Sequence, residues 1–237
     1  MTQLLIAPAT QNKKLGKGVA TSYRPVGDAA KGEGTCPSGC KFLPIAKGTP
    51  LPMLDNPDRE GGCYTQKFLV DQQQNASRSR EDHLDRFLLK GASFIRLHTS
   101  GDFFMPDGLG GYMLDREYLD MHIAWARKHS HVLIWTYTHD VRKLIEAGYS
   151  YVNGSFPENL HIVASCDTLA DKAYAISHGY RTARVIHSPS EIMPDETFCP
   201  YDLFKYQNRK DKEVTCKQCT LCFNPKHLRN IAFLKQK

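Results

Sequence analysis

Three cysteines lie within seven residues late in the sequence, in the run Cys216-Lys-Gln-Cys219-Thr-Leu-Cys222. Cys199, between a phenylalanine and a proline, is available upstream as a fourth thiol. A short CxxCxxC loop can wrap several corners of one cubane while its backbone N–H groups face the sulfides, so the spacing favours an iron–sulfur cluster, [4Fe-4S] in type. Zinc sites more often use two separated CxxC pairs, and zinc is the alternative metal. We predict a metal centre held by Cys199, Cys216, Cys219 and Cys222.

A second group of thiols lies near the start of the chain, in Cys36-Pro-Ser-Gly-Cys40 and at Cys63. The surrounding stretch, 11–63, is rich in Gly, Pro, Lys and Thr and shows little periodicity, so a bound metal would supply its order. Three thiolates leave one cluster iron open to a substrate or cofactor. We therefore predict a reactive cluster at Cys36, Cys40 and Cys63, with a zinc site completed by a histidine or by Cys166 as the alternative.

The eight cysteines are predicted to be reduced in the cytoplasm. No run approaches the roughly 20 apolar residues of a membrane span, and the N-terminus has neither a basic leader nor a signal-type apolar region. We therefore expect no membrane partner. Cytosolic thiols rarely form disulfides, which favours metal ligation.

The net charge of +6 is concentrated at the C-terminal end. Residues 202–237 hold nine Lys or Arg against three Asp or Glu. A basic tail of this kind attracts phosphate backbones with salt-dependent affinity. The tail thus indicates either nucleic-acid binding or solubility alone.

Strand and helix patterns alternate through the middle of the chain. The predicted strands are 18–22, 94–98, 131–138, 160–165 and 182–188, and the predicted helices are 80–90, 117–129, 140–147 and 168–178. Such alternation implies parallel βαβ units. We predict an α/β fold with a partial (β/α) barrel-like parallel sheet, long N-terminal loops and a small Cys-rich C-terminal extension. The predicted division is a partial-barrel domain over 1–190 and a basic extension packed on it over 191–237.

Polar residues follow the predicted strands, where parallel-sheet proteins place their sites. Ser100-Gly101-Asp102 follows one strand, whereas Asp140 and Thr168 are interpreted mainly as helix N-caps. Three histidines also fall at strand ends and are candidate proton carriers or ligands, namely His98, His139 and His187. Cys166 is interpreted as a small core residue.

Two of these segments resemble radical S-adenosylmethionine enzymes. The run from Thr35 to Phe42, TCPSGCKF, resembles their CxxxCxxC cluster loop, with leucine at the third cysteine position, so that Cys63 would reach in from a longer loop. Ser100-Gly101-Asp102 resembles the Gly-Gly-Glu-type turn that holds the cofactor's amino group. The resemblance implies that this turn binds S-adenosylmethionine, whose reductive cleavage yields a hydrogen-abstracting radical.

A fuller set of motifs, TCPSGC, CYTQ, RLHTSGDFF, WTYT, SCDT and the terminal CxxCxxCF, resembles a phage and plasmid family called gene product 88. The resemblance spans most of residues 14–224. It implies a phage or mobile-element origin, hence a host-cell cytoplasm, and metal clusters, but no particular reaction or substrate.

Three hypotheses follow from the sequence. The first is an iron–sulfur protein with an open cluster, of radical S-adenosylmethionine type. The second is a zinc-stabilised regulator without catalysis whose tail contacts nucleic acid or a host protein. The third is an electron-transfer or redox-sensing protein with closed clusters.

Overall fold

A computed structural model of the chain describes residues 5–7, 12–32, 34–38, 40, 84–88, 91–209, 214–227 and 229–235. The strands are β1 (Leu5–Ala7), β2 (Ala20–Tyr23), β3 (Phe94–Arg96), β4 (Phe104–Pro106), β5 (Tyr112–Leu114), β6 (Leu133–Thr138), β7 (Leu160–Ser165), β8 (Thr182–Ile186), β9 (Glu196–Phe198) and β10 (Asn230–Leu234). The helices are α1 (Arg116–Lys128), α2 (Val141–Glu146), α3 (Leu169–Ser177), α4 (Pro200–Tyr206) and α5 (Cys216–Cys219), with a 3₁₀ turn at Pro189–Glu191. No helix in these ranges is long and apolar enough to cross a membrane.

One large sheet organises the fold, in the order β1-β2-β3-β6-β7-β8-β10-β9. Seven of its strands are parallel, and β1 is antiparallel to β2 at one edge. The predicted α/β fold with a parallel sheet is therefore confirmed. Over the described residues the strand order has two ends, at β1 and β9. The last strand, β10, lies between β8 and β9, so the sequence on both sides of residue 190 contributes to the same sheet.

Alternate residues of each strand face opposite sides of this sheet. On the helix face, Ile134 of β6 packs with residues of α1, α2 and α3 in the main core. On the other face, Leu133, Trp135 and Tyr137 pack with Phe223 and with two of the C-terminal cysteines. The predicted helices thus cover only one face, and the segment containing α5 covers much of the second.

Capping residues set the helix ends, as the strand-end pattern predicts. Asp140 accepts a hydrogen bond from the Lys143 amide at the start of α2, and Thr168 accepts one from Asp171 at the start of α3. Asp115 caps α1, whose observed span agrees with the predicted helix to within one residue at each end. The predicted helix at 80–90 is described only over 84–88, where Leu84 and Asp85 are helical.

A buried charge network fixes the short edge strand β9. Lys172 of α3 donates to Glu196 at 2.9 Å and to Asp195 at 2.8 Å, and Arg184 of β8 donates to Glu196 at 2.6 Å. The Glu196 side chain is only 1% exposed. Burial by itself raises the pKa of Glu196, but the hydrogen bonds from Arg184 and Lys172 outweigh burial, and the pKa lies below its ordinary 4.5. Glu196 therefore holds β9, and Cys199 directly after that strand, against β8 and α3.

We expect Glu196→Gln to lower the free energy of unfolding by about 3 kcal/mol near neutral pH, because it leaves the partly buried Arg184 without its carboxylate and the buried Lys172 with Asp195 alone. Since the folded pKa lies below the unfolded one, the carboxylate stabilises the fold above pH 4.5 and loses this effect as the pH falls through the lowered pKa. Urea unfolding at several pH values measures both effects. Exposed Glu158→Gln is the matched control, and an equal loss in both variants would contradict the network's role.

Candidate metal centres

The C-terminal thiol segment is anchored to the sheet by an aromatic stack. Phe223 is 1% exposed and stacks on Trp135 of β6 with ring centroids 4.3 Å apart. The centroid of its ring also lies 5.6 Å from that of Phe94 in β3. Burying a phenylalanine side chain contributes about 1.5–3 kcal/mol. The stack therefore holds the segment, and Cys222 beside it, against the sheet.

Backbone hydrogen bonds to the N-terminal segment hold the start of the C-terminal thiol segment in place. The amide of Cys216 donates to the Lys14 carbonyl at 2.7 Å, and the amide of Lys217 donates to the Leu15 carbonyl at 3.1 Å. Gly16 has φ +95°, and a Cβ there would lie 2.9 Å from the Thr215 hydroxyl, so glycine is required at this approach. The helical turn α5 is thus held between residues 14–16 and the sheet.

The four C-terminal thiols lie close to one another. Cys199 directly follows β9, its amide donates to the Ala232 carbonyl at 2.8 Å, and its side chain packs in the same buried group as Cys222. The Tyr137 hydroxyl donates to Cys222 Sγ at 2.9 Å. Burial raises the pKa of all four thiols, to about 12 for Cys216, and the Cys222 charge raises the pKa of each of the other three further. Cys199, Cys216 and Cys222 thus pack on the same face of the sheet, and Cys219 ends the helical turn that Cys216 begins.

The donor set fits a four-thiolate group by chemistry. The buried Cys199 and the partly buried Cys216, Cys219 and Cys222, with an O–H donor beside Cys222, can provide the thiolates that a metal or cluster binds, and binding would release their protons. Among the described residues, no three His, Cys, Asp or Glu side chains are arranged around the position of a single metal ion.

The N-terminal thiol loop lies at the carboxyl edge of β2 and β3. Thr35 ties it down: its hydroxyl donates to the Pro25 carbonyl at 2.9 Å and accepts from the Asp102 amide at 2.9 Å. The Cys36 amide donates to the Gly27 carbonyl at 3.0 Å. The hydroxyl of Ser38 donates to Asp28 at 2.6 Å. The Cys36 and Cys40 loop therefore contacts the predicted cofactor turn directly.

The turn Ser100-Gly101-Asp102 is built for close packing. Gly101 has φ +76°, and a Cβ there would lie 2.6 Å from the Thr35 hydroxyl and 2.8 Å from the Arg24 carbonyl. Ser100 donates to that same carbonyl at 3.1 Å. The Asp102 carboxylate is 1% exposed and accepts from the amides of Phe103 and His139, both at 2.8 Å. Its two oxygens thus already hold the ends of β3 and β6 together.

Other predicted residues have structural environments or lie elsewhere. Cys63 lies outside the described residues. His98 is 2% exposed. Its Nε2 lies 2.8 Å from the Tyr118 hydroxyl, and its Nδ1 lies 3.2 Å from the Thr136 hydroxyl. Burial lowers the pKa of His98 well below the ordinary value. Cys166 is buried in the main core, as predicted.

Sequence patterns did not single out the cations near the thiols. Lys14, Arg24, Arg96 and Arg181 all lie next to predicted site residues in the structure. Of these four, Arg96 alone stands within a motif, RLHTSGDFF, and the motif assigns it no role at the thiols. Arg24 is fully buried, donates to the Asp102 carbonyl at 2.9 Å and to the Asp115 carboxylate at 2.8 Å, and lies over the Tyr118 ring. The role of Arg24 in positioning this turn is visible only in the structure, where its buried guanidinium pairs with a carboxylate that is distant in sequence.

Residues 5–227 of the chain match the family model described as Gene product 88. None of the curated proteins and none of the solved structures compared with the chain matches it.

Arg24→Gln tests whether the N-terminal loop depends on this buried cation. We expect a loss of about 3–5 kcal/mol in the free energy of unfolding, because the change removes the cation from the buried Asp115 carboxylate. Arg142→Gln removes an exposed pair with Asp171 and should cost about 0–1 kcal/mol. Urea unfolding monitored by circular dichroism compares the two variants. Equal losses would show that the Arg24 pair has no special weight.

Proposed function

The chain belongs to the gene product 88 family, and we propose that it is a phage or mobile-element iron–sulfur protein with two cluster sites. The observation that carries this proposal is the convergence of Cys199, after β9, with the distant Cys216–Cys222 segment on the face of the sheet opposite the helices. Thiols from distant segments gathered beside one another, in contrast to the single Cys166 in the main core, are the arrangement that a metal group requires.

Spacing within the C-terminal site supports a cluster over zinc. The ligands of a cubane each bind a different iron, so their sulfur atoms lie farther apart than the four ligands of one zinc ion. Cys216, Cys219 and Cys222 follow the CxxCxxC spacing, with which one short loop can wrap several corners of a cubane, and Cys199 is available as the fourth ligand. This arrangement suits Cys199, Cys216, Cys219 and Cys222 as ligands of one closed [4Fe-4S] cluster.

The N-terminal site is proposed to be the reactive one. Its loop lies at the carboxyl edge of a parallel sheet whose strands β2, β3, β6, β7 and β8 are neighbours in that order, which supports the proposed partial (β/α) barrel. When bound there by Cys36, Cys40 and Cys63, a cluster with three thiolates supplies an iron with an open coordination position. S-adenosylmethionine is the proposed ligand of that position.

The protein's own residues would prepare the site for this ligand. Thr35 joins the cysteine loop to the Ser100–Asp102 turn, and Arg24 stabilises that turn by donating a hydrogen bond to the Asp102 carbonyl. Since the Asp102 carboxylate is occupied by two backbone amides, we assign it to positioning the turn. Ser100 and Gly101 are the parts of the turn proposed to approach the ligand.

The experiment is anaerobic purification followed by iron, sulfide and zinc analysis of the wild type and three alanine variants, at Cys36, Cys216 and Cys166. Two cubanes require about eight irons. We expect Cys36→Ala and Cys216→Ala each to lose about half of the iron, because each removes a ligand of one cluster. The buried core residue Cys166 is the matched control, and Cys166→Ala should retain the full content.

The metal content decides among the hypotheses. Zinc without iron would overturn the iron–sulfur proposal and favour a zinc-stabilised binding module. Full iron in Cys36→Ala, with complete loss in Cys216→Ala, would remove the N-terminal cluster. Adding S-adenosylmethionine to the reduced protein should perturb its electron paramagnetic resonance spectrum in the wild type and not in Cys36→Ala. An unperturbed wild-type spectrum would favour electron transfer.

A further inference from the structure

Three cations from distant parts of the chain surround the C-terminal thiols. Lys14 comes from the N-terminal segment, Arg96 from β3 and Arg181 from the residue before β8. We call them the cation trio. Burial raises the pKa of Cys222, and the Tyr137 hydrogen bond and each member of the trio oppose that effect. The trio is therefore near enough to interact with charge on the sulfur.

Lys14 is held between the thiols and one carboxylate. Its Nζ lies 2.9 Å and 3.0 Å from the two carboxylate oxygens of Asp202, at the start of α4. It also lies 4.8 Å from the ring centroid of Phe233 and 5.4 Å from that of Tyr201. These aromatic neighbours fix the ammonium beside Cys199 and reduce its contact with water.

Arg96 acts on the site through Tyr137. Its guanidinium carbon lies 4.4 Å from the centroid of the Tyr137 ring, and the residue is 8% exposed. The hydroxyl of the same tyrosine donates to Cys222. A cation over the ring makes the hydroxyl a stronger donor, since it draws electron density from the ring.

Arg181 is the member with unused hydrogen-bonding capacity. Its Nη2 donates to the carbonyls of Leu221, next to Cys222, and of Arg229. Its Nε and Nη1 are buried and have no hydrogen-bond partner among the described residues. Buried donors without acceptors destabilise a fold, so such groups call for a functional explanation. A negatively charged group at the thiols would provide acceptors.

The balance of charge points to the state that the site favours. Asp202 is the carboxylate paired with the trio, so the three cations exceed it in charge. Reduction of a cluster adds one electron to the iron, breaks no bond and makes the whole group more negative. Fixed cations and hydrogen bonds to sulfur stabilise that form and raise the reduction potential.

We propose that the cation trio makes the C-terminal cluster redox-active, by stabilising its reduced form after it accepts one electron from a donor such as a reduced flavin or ferredoxin. Arg181 is the principal positioning residue, through its two unpartnered N–H groups. This inference rests on the iron–sulfur function proposed above. It assigns electron transfer to the closed C-terminal site and names the residues that set its potential.

The test is a redox titration of the anaerobic protein, followed by electron paramagnetic resonance. Cys36→Ala serves as the background, so that the signal comes from the C-terminal cluster alone. We expect Arg181→Gln to lower the equilibrium constant for reduction about ten-fold, which is 59 mV for a one-electron couple. Arg181→Lys keeps the charge and should show a smaller shift. Arg142→Gln, an exposed arginine on α2, is the control and should leave the potential unchanged.

Iron and sulfide content separates the two proposals. If the background protein holds about four irons, as one cubane requires, and Arg181→Gln titrates at the unchanged potential, the trio's role is overturned while the cluster stands. If the background protein holds no iron, the proposed function and this inference both fail.

A second pair of variants covers the case in which Arg181→Gln does not fold. Tyr137→Phe keeps the ring beneath Arg96 and removes only the O–H donor to Cys222. Arg96→Gln removes the cation and leaves the hydroxyl. Lowered potentials in both, with iron retained, support the proposal. Unchanged potentials in both overturn it.

Discussion

A parallel sheet must be covered on both faces, because its strands are apolar on both sides. Here α1, α2 and α3 cover one face, and the opposite face carries Trp135, Tyr137 and Val163. The segment that covers this second face is short in regular structure and rich in cysteine. The need to bury the sheet is thus met by the same residues that assemble the C-terminal thiols, which couples the stability of the fold to the site.

The two thiol sites have different surroundings for this reason. The C-terminal site lies on the face of the sheet opposite the helices, among aromatic rings and cations that reduce its contact with water. The N-terminal loop lies at the carboxyl edge, among hydroxyl and carboxylate groups such as Ser38, Asp28 and Asp102. A buried site of the first kind suits a group that stays in place, whereas an edge site suits exchange with a small molecule.

The sequence predicted the regular elements well where local signals were strong. Asp140 and Thr168 mark helix starts by their hydroxyl and carboxylate chemistry, and the structure agrees with both. The hairpin β4–β5, the edge strand β9 and the strand β10 were not predicted, because short strands carry little periodicity of their own, and β9 and β10 in addition pair with strands distant in sequence. The thiols were visible from their spacing, but Arg181 and Lys14 were not, since an isolated basic residue has no pattern.

The position of β10 has a consequence for how the protein forms. This strand is inserted between β8 and β9, although it follows both in the chain. During synthesis, β9 and Cys199 emerge first and have no neighbouring strand until residues 230–234 arrive. Until then the backbone groups of β9 that pair with β10 have no partner in the sheet. Folding of this region would then be ordered in time, with β9 and Cys199 joining the sheet only when β10 lies beside β8.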